Sequence, residues 1–159
     1  MSSFRADSRV IIGGLVILSL IISVTVYAVA PPSRVERVLL FPGSVDSELA
    51  GETRLVPRRD TVEGEVSAFV AELVAGPGRI DRSRVVPRGT RVQSVMVRDR
   101  RVFIDLSPAL LDAVGARIVL SLPEMLETIR YNIRYNFRGM DEVTVTIGGE
   151  ILNEEAYRE

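Results

Sequence analysis

The sequence contains no cysteine, histidine, tryptophan or lysine, and its 20 cationic side chains are all arginine. Without cysteine and histidine the usual ligands of zinc, iron and haem are missing, as are the thiolate nucleophile and the imidazole base. Without lysine there is no Schiff-base amine and no phosphate-gripping P-loop lysine. With no thiol to oxidise, the redox compartment leaves no trace in the chain. Carboxylate acid/base chemistry and oxygen-ligated metals are what remain for an enzyme. Charge of either sign is also not in excess: the 159 residues carry a formal net charge of −1, so no gross attraction to nucleic acid or anionic membrane is implied.

What the sequence does have is one long uncharged run. Val10 to Ala30 reads VIIGGLVILSLIISVTVYAVA. Twenty-one residues at about 1.5 Å each reach roughly 31 Å, the thickness of a bilayer core, where an unpaired backbone forces helix. Ser19, Ser23 and Thr25 are able to bond back to helix carbonyls, and Tyr27 stands near one end, where an interfacial aromatic belongs. Ala28-Val29-Ala30 has the small residues of a signal cleavage site. The run nevertheless exceeds the about 7–15 residues of a signal core, and Pro31-Pro32 follows, so a retained anchor is expected. Arg5 and Arg9 precede the span against Asp7, and Arg34 and Arg37 follow it against Glu36, a small bias. A short leading tail favours residues 1–9 in the cytoplasm and the rest outside. Gly13-Gly14 and Ser19-x-x-x-Ser23 suit close helix approach, though small residues scatter through any span.

After a linker at 31–34, residues 35–150 read as one α+β domain, and 151–159 as an acidic tail. Val35 to Phe41 is a β-branched strand ended by Pro42-Gly43; 46–51 reads as loop, and Glu52 to Pro57 as a short extended piece. Thr61 caps a helix predicted over Val62 to Ala75, with Val66, Phe69, Val70, Leu73 and Val74 on one face. Gly76-Pro77 stops it, since glycine takes the left-handed position and proline cannot continue a helix. Arg91 to Arg98 and Arg101 to Leu106 form a hairpin across Asp99-Arg100. Ser107-Pro108 reads as an N-cap and first helical residue, while 113–120 fits strand or helix approach equally. A second helix is predicted from near Ser121-Pro123 to about Phe137, with Leu122, Leu126, Ile129, Ile133 and Phe137 inward. Val143 to Ile147 is a last strand. The sum is a two-layer sandwich, a mixed sheet of about four to five strands with two amphipathic helices on one face, preceded by one transmembrane helix.

Five motifs stand in order along this domain. They are Glu52-Thr53-Arg54, the Leu73-x-x-Gly76-Pro77 helix end, Val86-Pro87-x-Gly89-Thr90 before a strand, Val102-x-x-Asp105-Leu106-Ser107, and Val143-x-Val145-x-Ile147-x-Gly149. In that order and spacing they resemble the GerMN domain of bacterial sporulation and germination proteins, over nearly all the chain beyond the span. The resemblance implies an exported, membrane-tethered domain similar in fold to the ring-building domains of secretion and sporulation machines. It implies no catalytic residues, metal or cofactor, and it makes Glu52, Arg54, Gly76, Pro77, Pro87, Gly89, Thr90, Asp105, Ser107 and Gly149 structural. Arg100 stands in the hairpin turn where family members often carry glycine.

The densest charge lies at 79–101, where Arg79, Arg82, Arg84, Arg88, Arg91, Arg98, Arg100 and Arg101 face Asp81 and Asp99, eight minus two giving +6. Arg79, Arg82, Arg84, Arg88, Arg98, Arg100 and Arg101 are candidate contacts for an anionic envelope polymer, against a plain solvated loop and hairpin. No aromatic interleaves them, so nucleic acid is not the expected partner. Asp105 reads as strand end before a cap, and Glu52 with Asp105 shows no spacing of a catalytic pair. Asn132, Tyr135 and Asn136 stand beside the apolar stripe as a core rim or a polar binding edge. The expected role is a non-catalytic assembly or interaction module of the bacterial cell envelope. Its partners are the cytoplasmic membrane through 10–30 and a protein, or a second copy of itself. The alternatives are an envelope-ligand module using the arginines and, last, a carboxylate hydrolase.

Overall fold

The computed structural model describes residues 8–29, 33–45, 47–112 and 119–152. The chain divides into two units, Met1–Pro32 and Ser33–Glu159. In the first, α1 (Ser8–Val29) is a continuous helix, and Ile11–Val29 is the one stretch among the described residues long and apolar enough to cross a membrane. None of its apolar window is buried against protein. Thr25 Oγ1 donates to the Ile21 carbonyl at 2.8 Å, the back-bonding expected of a hydroxyl in an apolar helix.

The second unit runs β1 (Arg34–Pro42), β2 (Leu49–Pro57), α2 (Val62–Ala75), β3 (Val92–Arg98), β4 (Arg101–Leu106), a 3-10 turn (Pro108–Leu110), α3 (Leu122–Asn136) and β5 (Glu142–Ile147). This is the expected α+β order. β1 starts one residue earlier than the expected domain boundary, and β2 starts at Leu49, so Ala50 and Gly51 are strand rather than loop. Residues 113–118 lie outside the described residues; Val119 and Leu120 belong to neither helix nor strand.

The five strands form two sheets. β1 and β2 are an antiparallel hairpin, and β3-β4-β5 is a mixed sheet, antiparallel on one side of β4 and parallel on the other. The core collects Leu39, Phe41 and Val56 from the hairpin, Val66, Phe69, Val70 and Leu73 from α2, Ile129 and Ile133 from α3, and Val102, Ile104 and Leu106 from β4. Phe69 of α2 meets Phe137 edge to face, with ring centroids 5.5 Å apart.

The split into two sheets has a local cause in α3. Asn132 is fully buried; its Oδ1 accepts the Leu40 N–H at 2.8 Å, and its Nδ2 donates to the Leu40 carbonyl at 3.0 Å. One turn on, Asn136 does the same for Val38, at 3.1 and 2.7 Å. Two side-chain amides thus supply the bonds of an absent strand, and the inner edge of β1 ends on a helix. The spacing of four residues places both amides on one face, and the about 6 Å rise of that spacing matches the two-residue step of a strand.

Candidate functional site

Glu52, Arg54 and Gly76 of the family pattern meet around the C-terminal end of α2. A helix leaves its last carbonyls unpaired and its C-terminus partly negative, and α2 has no basic residue in its last turn. Two arginines from elsewhere supply the charge. Arg54 of β2 donates to the Gly76 carbonyl at 2.8 Å, and Arg84 donates to the Val74 carbonyl at 2.8 Å. Arg54 is oriented by Glu52, at 2.7 Å, and lies over the Phe41 ring, 5.4 Å from its centroid. The other task of Glu52 is to accept the Gly78 N–H, at 3.1 and 3.2 Å.

Backbone conformation requires glycine at Gly76, and both glycines at the stop lie against charged side-chain ends. Gly76 has φ +90°, and a Cβ there would sit 2.5 Å from Arg84 Nη1. A Cβ on Gly78 would sit 2.9 Å from Glu52 Oε1. Burial, then the like charge of Arg88, lowers the Arg84 guanidinium from its usual value.

The remaining motif residues brace other turns. Asp105 accepts from Thr146 Oγ1 and from the Gly149 N–H, both at 2.8 Å, and so ties β4 to the turn after β5. Ser107 precedes the 3-10 turn as expected, but its hydroxyl does not cap it. The Oγ accepts the Arg91 N–H at 3.0 Å, and the Ser107 N–H reaches the Arg91 carbonyl at 2.9 Å. The reason is register: Ser107 follows β4 directly and continues its ladder with β3. Pro87 and Thr90 are buried, and Gly89, at φ +94°, turns the chain between them.

The arginine-rich stretch is divided in space. Arg79, Arg82, Arg84 and Arg88 belong to the loop after α2, which packs on the end of β1 through Ser83 N–H to Pro42 O at 2.8 Å. Arg98, Arg100 and Arg101 are at the β3–β4 tip, beside the start of α2, where Glu63 accepts the Val97 N–H at 3.1 Å. The two groups therefore lie toward opposite ends of a 14-residue helix, about 20 Å long. Folding also brings acid to the tip that was distant in sequence. Arg100 pairs with Asp141 at 2.8 Å, Arg101 with Glu142 at 3.3 Å and Arg98 with Asp99 at 3.7 Å. Three cations against three anions leave the tip neutral.

In the loop, Arg79 pairs with Asp81 at 3.0 Å and Arg82 reaches the same carboxylate at 4.0 Å. The hydrogen bond to Arg79 holds the Asp81 carboxyl below its usual range. Asp99 and Arg100 both have positive φ, 49° and 63°, the two-residue turn that suits a twisted hairpin. Arg100 holds this glycine-like geometry with its guanidinium fixed to the Gly139 carbonyl at 2.8 Å and to Asp141.

The chain matches the first GerMN domain of the sporulation protein GerM from Bacillus subtilis at 17% identity and a TM-score of 0.56, over 74% of this chain and 86% of that one. It matches the tandem GerMN domains of the same protein at 17% identity and a TM-score of 0.53, over 76% of this chain and 41% of that one, consistent with a single copy here. At these identities the likeness is one of fold. No curated protein matches the sequence. The family model Germane, described as "Sporulation and spore germination", matches residues 26–153, so the chain belongs to the Germane (GerMN) domain family.

Proposed function

We propose that this chain is a single-pass module of the bacterial cytoplasmic membrane, with residues 1–9 inside and the GerMN domain outside. We further propose that it acts by assembly with other proteins, not by catalysis, in the sporulation-related processes for which the family is named. The observation that carries the reading is how the polar family residues are spent. Glu52, Arg54, Asp105 and Ser107 are each bonded to backbone of their own domain, at the α2 stop, the β5 turn and the β3–β4 ladder. Glu52 and Asp105 belong to different sheets, each bound to its own turn. What the domain presents outward is surface, including the exposed Tyr131, Tyr135 and Leu55.

The test uses native membranes. After an alkaline carbonate wash the protein stays in the pellet at full-length mass, and crosslinking before solubilisation recovers a defined protein with it. A soluble form beginning at Pro31 overturns the anchor. A chain that crosslinks to no protein, itself included, overturns the assembly role.

A further inference from the structure

Among the described residues, one edge of β2 has no strand beside it. Opposed residues of an antiparallel pair alternate between exchanging backbone hydrogen bonds and turning them away. Val38 and Leu40 give theirs to Asn136 and Asn132. Their partners across the hairpin, Thr53 and Gly51, therefore also point away from β1, and so does Leu55, opposite Glu36. Among the described residues no hydrogen bond reaches the backbone of Gly51, Thr53 or Leu55, and β2 pairs with β1 alone. Gly51 and Thr53 are exposed, and the Leu55 side chain is 56% exposed.

Strand edges are ordinarily blunted by lysine, proline, a bulge or charge. The nine residues of β2 contain no lysine and no proline before Pro57. Their charges, Glu52 and Arg54, are turned inward to the α2 stop.

We infer that this edge pairs with β2 of a second copy of the chain, antiparallel, about a two-fold axis at Thr53. The inference rests on the assembly reading above and names its partner. In this register Thr53 faces Thr53, and Gly51 faces Leu55 twice, so each of the three outward residues exchanges both backbone bonds. Leu55 of one copy lies over Gly51 of the other, where no Cβ stands in the way. Val38 leans close enough across Gly51 (a Cβ there would be 2.9 Å from its Cγ1) to offer Leu55 an apolar contact. On the inner face Glu52 stands opposite Arg54 on both sides of the axis.

The neighbouring registers that still align outward-facing residues are disfavoured by charge. An axis at Glu52 puts Glu52 opposite Glu52, and an axis at Arg54 puts Arg54 opposite Arg54; like charges directly opposed destabilise a pair. The result is an isologous dimer whose two hairpins make one four-stranded sheet.

The chain has no cysteine, so one introduced thiol reports one position. Opposed residues of a bonded pair stand about 5.5 Å apart between Cα atoms, inside the about 4.4–6.8 Å window of a disulfide. Two Leu55 residues lie about 14 Å apart along the strands, outside it. In membranes holding the full chain, mild oxidation is expected to convert most of Thr53→Cys to a disulfide dimer and little of Leu55→Cys. In micelles, the Gly51 and Leu55 amides gain protection from hydrogen exchange as the chain is concentrated.

Equal trapping of both variants, or of neither, overturns the pairing, as does fast exchange of those amides at every concentration. A different protein crosslinked to the chain, with Thr53→Cys still monomeric, overturns this inference and leaves the assembly reading standing.

Discussion

Replacing Asn132 with alanine removes an amide that the fold uses in place of a strand. The side chain is fully buried and makes three bonds, accepting from Leu40 N–H and donating to the Leu40 and Thr128 carbonyls. Thr128 lies one helical turn back, so its carbonyl keeps its helix partner. The Leu40 N–H and carbonyl have no alternative, because Leu40 is itself buried and their direction faces α3. Each buried backbone group left unpaired costs about 1–3 kcal/mol, so the two together cost about 2–6 kcal/mol, with a small cavity added. Against a typical stability of about 5–15 kcal/mol this is a large fraction.

Asn132→Asp separates hydrogen bonding from packing, since the volume is unchanged. One carboxylate oxygen would then face two carbonyl oxygens in a buried site, and the loss should equal or exceed that of alanine. Full-length chain in micelles, unfolded in urea and read by pulse proteolysis, gives the stability; hydrogen exchange gives the Leu40 amide directly. An alanine variant within about 0.5 kcal/mol of wild type, or a Leu40 amide that stays protected, would refute the reasoning, because ordinary surface changes are that small.

The sequence disclosed what was local. α2 spans Val62–Ala75 and β4 spans Arg101–Leu106, as periodicity and turn residues dictate, because each signal acts within one element. The Gly76 stop was legible for the same reason. Contacts across long separations were not. Asn132 and Asn136 sit four residues apart beside the stripe, a pattern that suits a solvated rim as well as a buried amide ladder. What distinguishes the two is β1, roughly a hundred residues earlier.

The arginine-rich stretch shows the same limit. A count over 79–101 omits Asp141 and Glu142, which the parallel β4–β5 pairing carries to the tip: Arg101 is opposite Glu142 in register. Glu52 and Arg54 were visible as a motif, but their task at the α2 stop depends on where the hairpin lands. An arginine excess becomes a surface field only after the fold has assigned its partners.

Phe69→Ala removes a fully buried ring that also meets Phe137, and should cost about 3–5 kcal/mol in the urea assay; a loss below about 1 kcal/mol would mean α2 does not pack as described. Changing Arg98, Arg100 and Arg101 together to Gln breaks three exposed pairs worth about 0–1 kcal/mol each and should lower stability by about 1 kcal/mol, less in salt, while a loss above about 3 kcal/mol would contradict their exposure. The last prediction concerns acid. Glu124 opens α3 by accepting the Ser121 N–H and hydroxyl, both at 2.7 Å, and these bonds hold its carboxyl below the usual range. A carboxyl whose pKa is lower folded than unfolded binds fewer protons when folded, so its contribution is complete above the unfolded pKa and is lost as pH falls through the folded value. Glu124→Gln retains an acceptor for the cap but does not titrate. The variant should therefore lose stability less steeply than wild type on acidification, with Asp81 supplying a separate part of the slope. Urea midpoints measured from neutral pH down through the carboxylate range test this, and parallel curves for the two proteins would show that the Ser121 bonds do not set the charge state of Glu124.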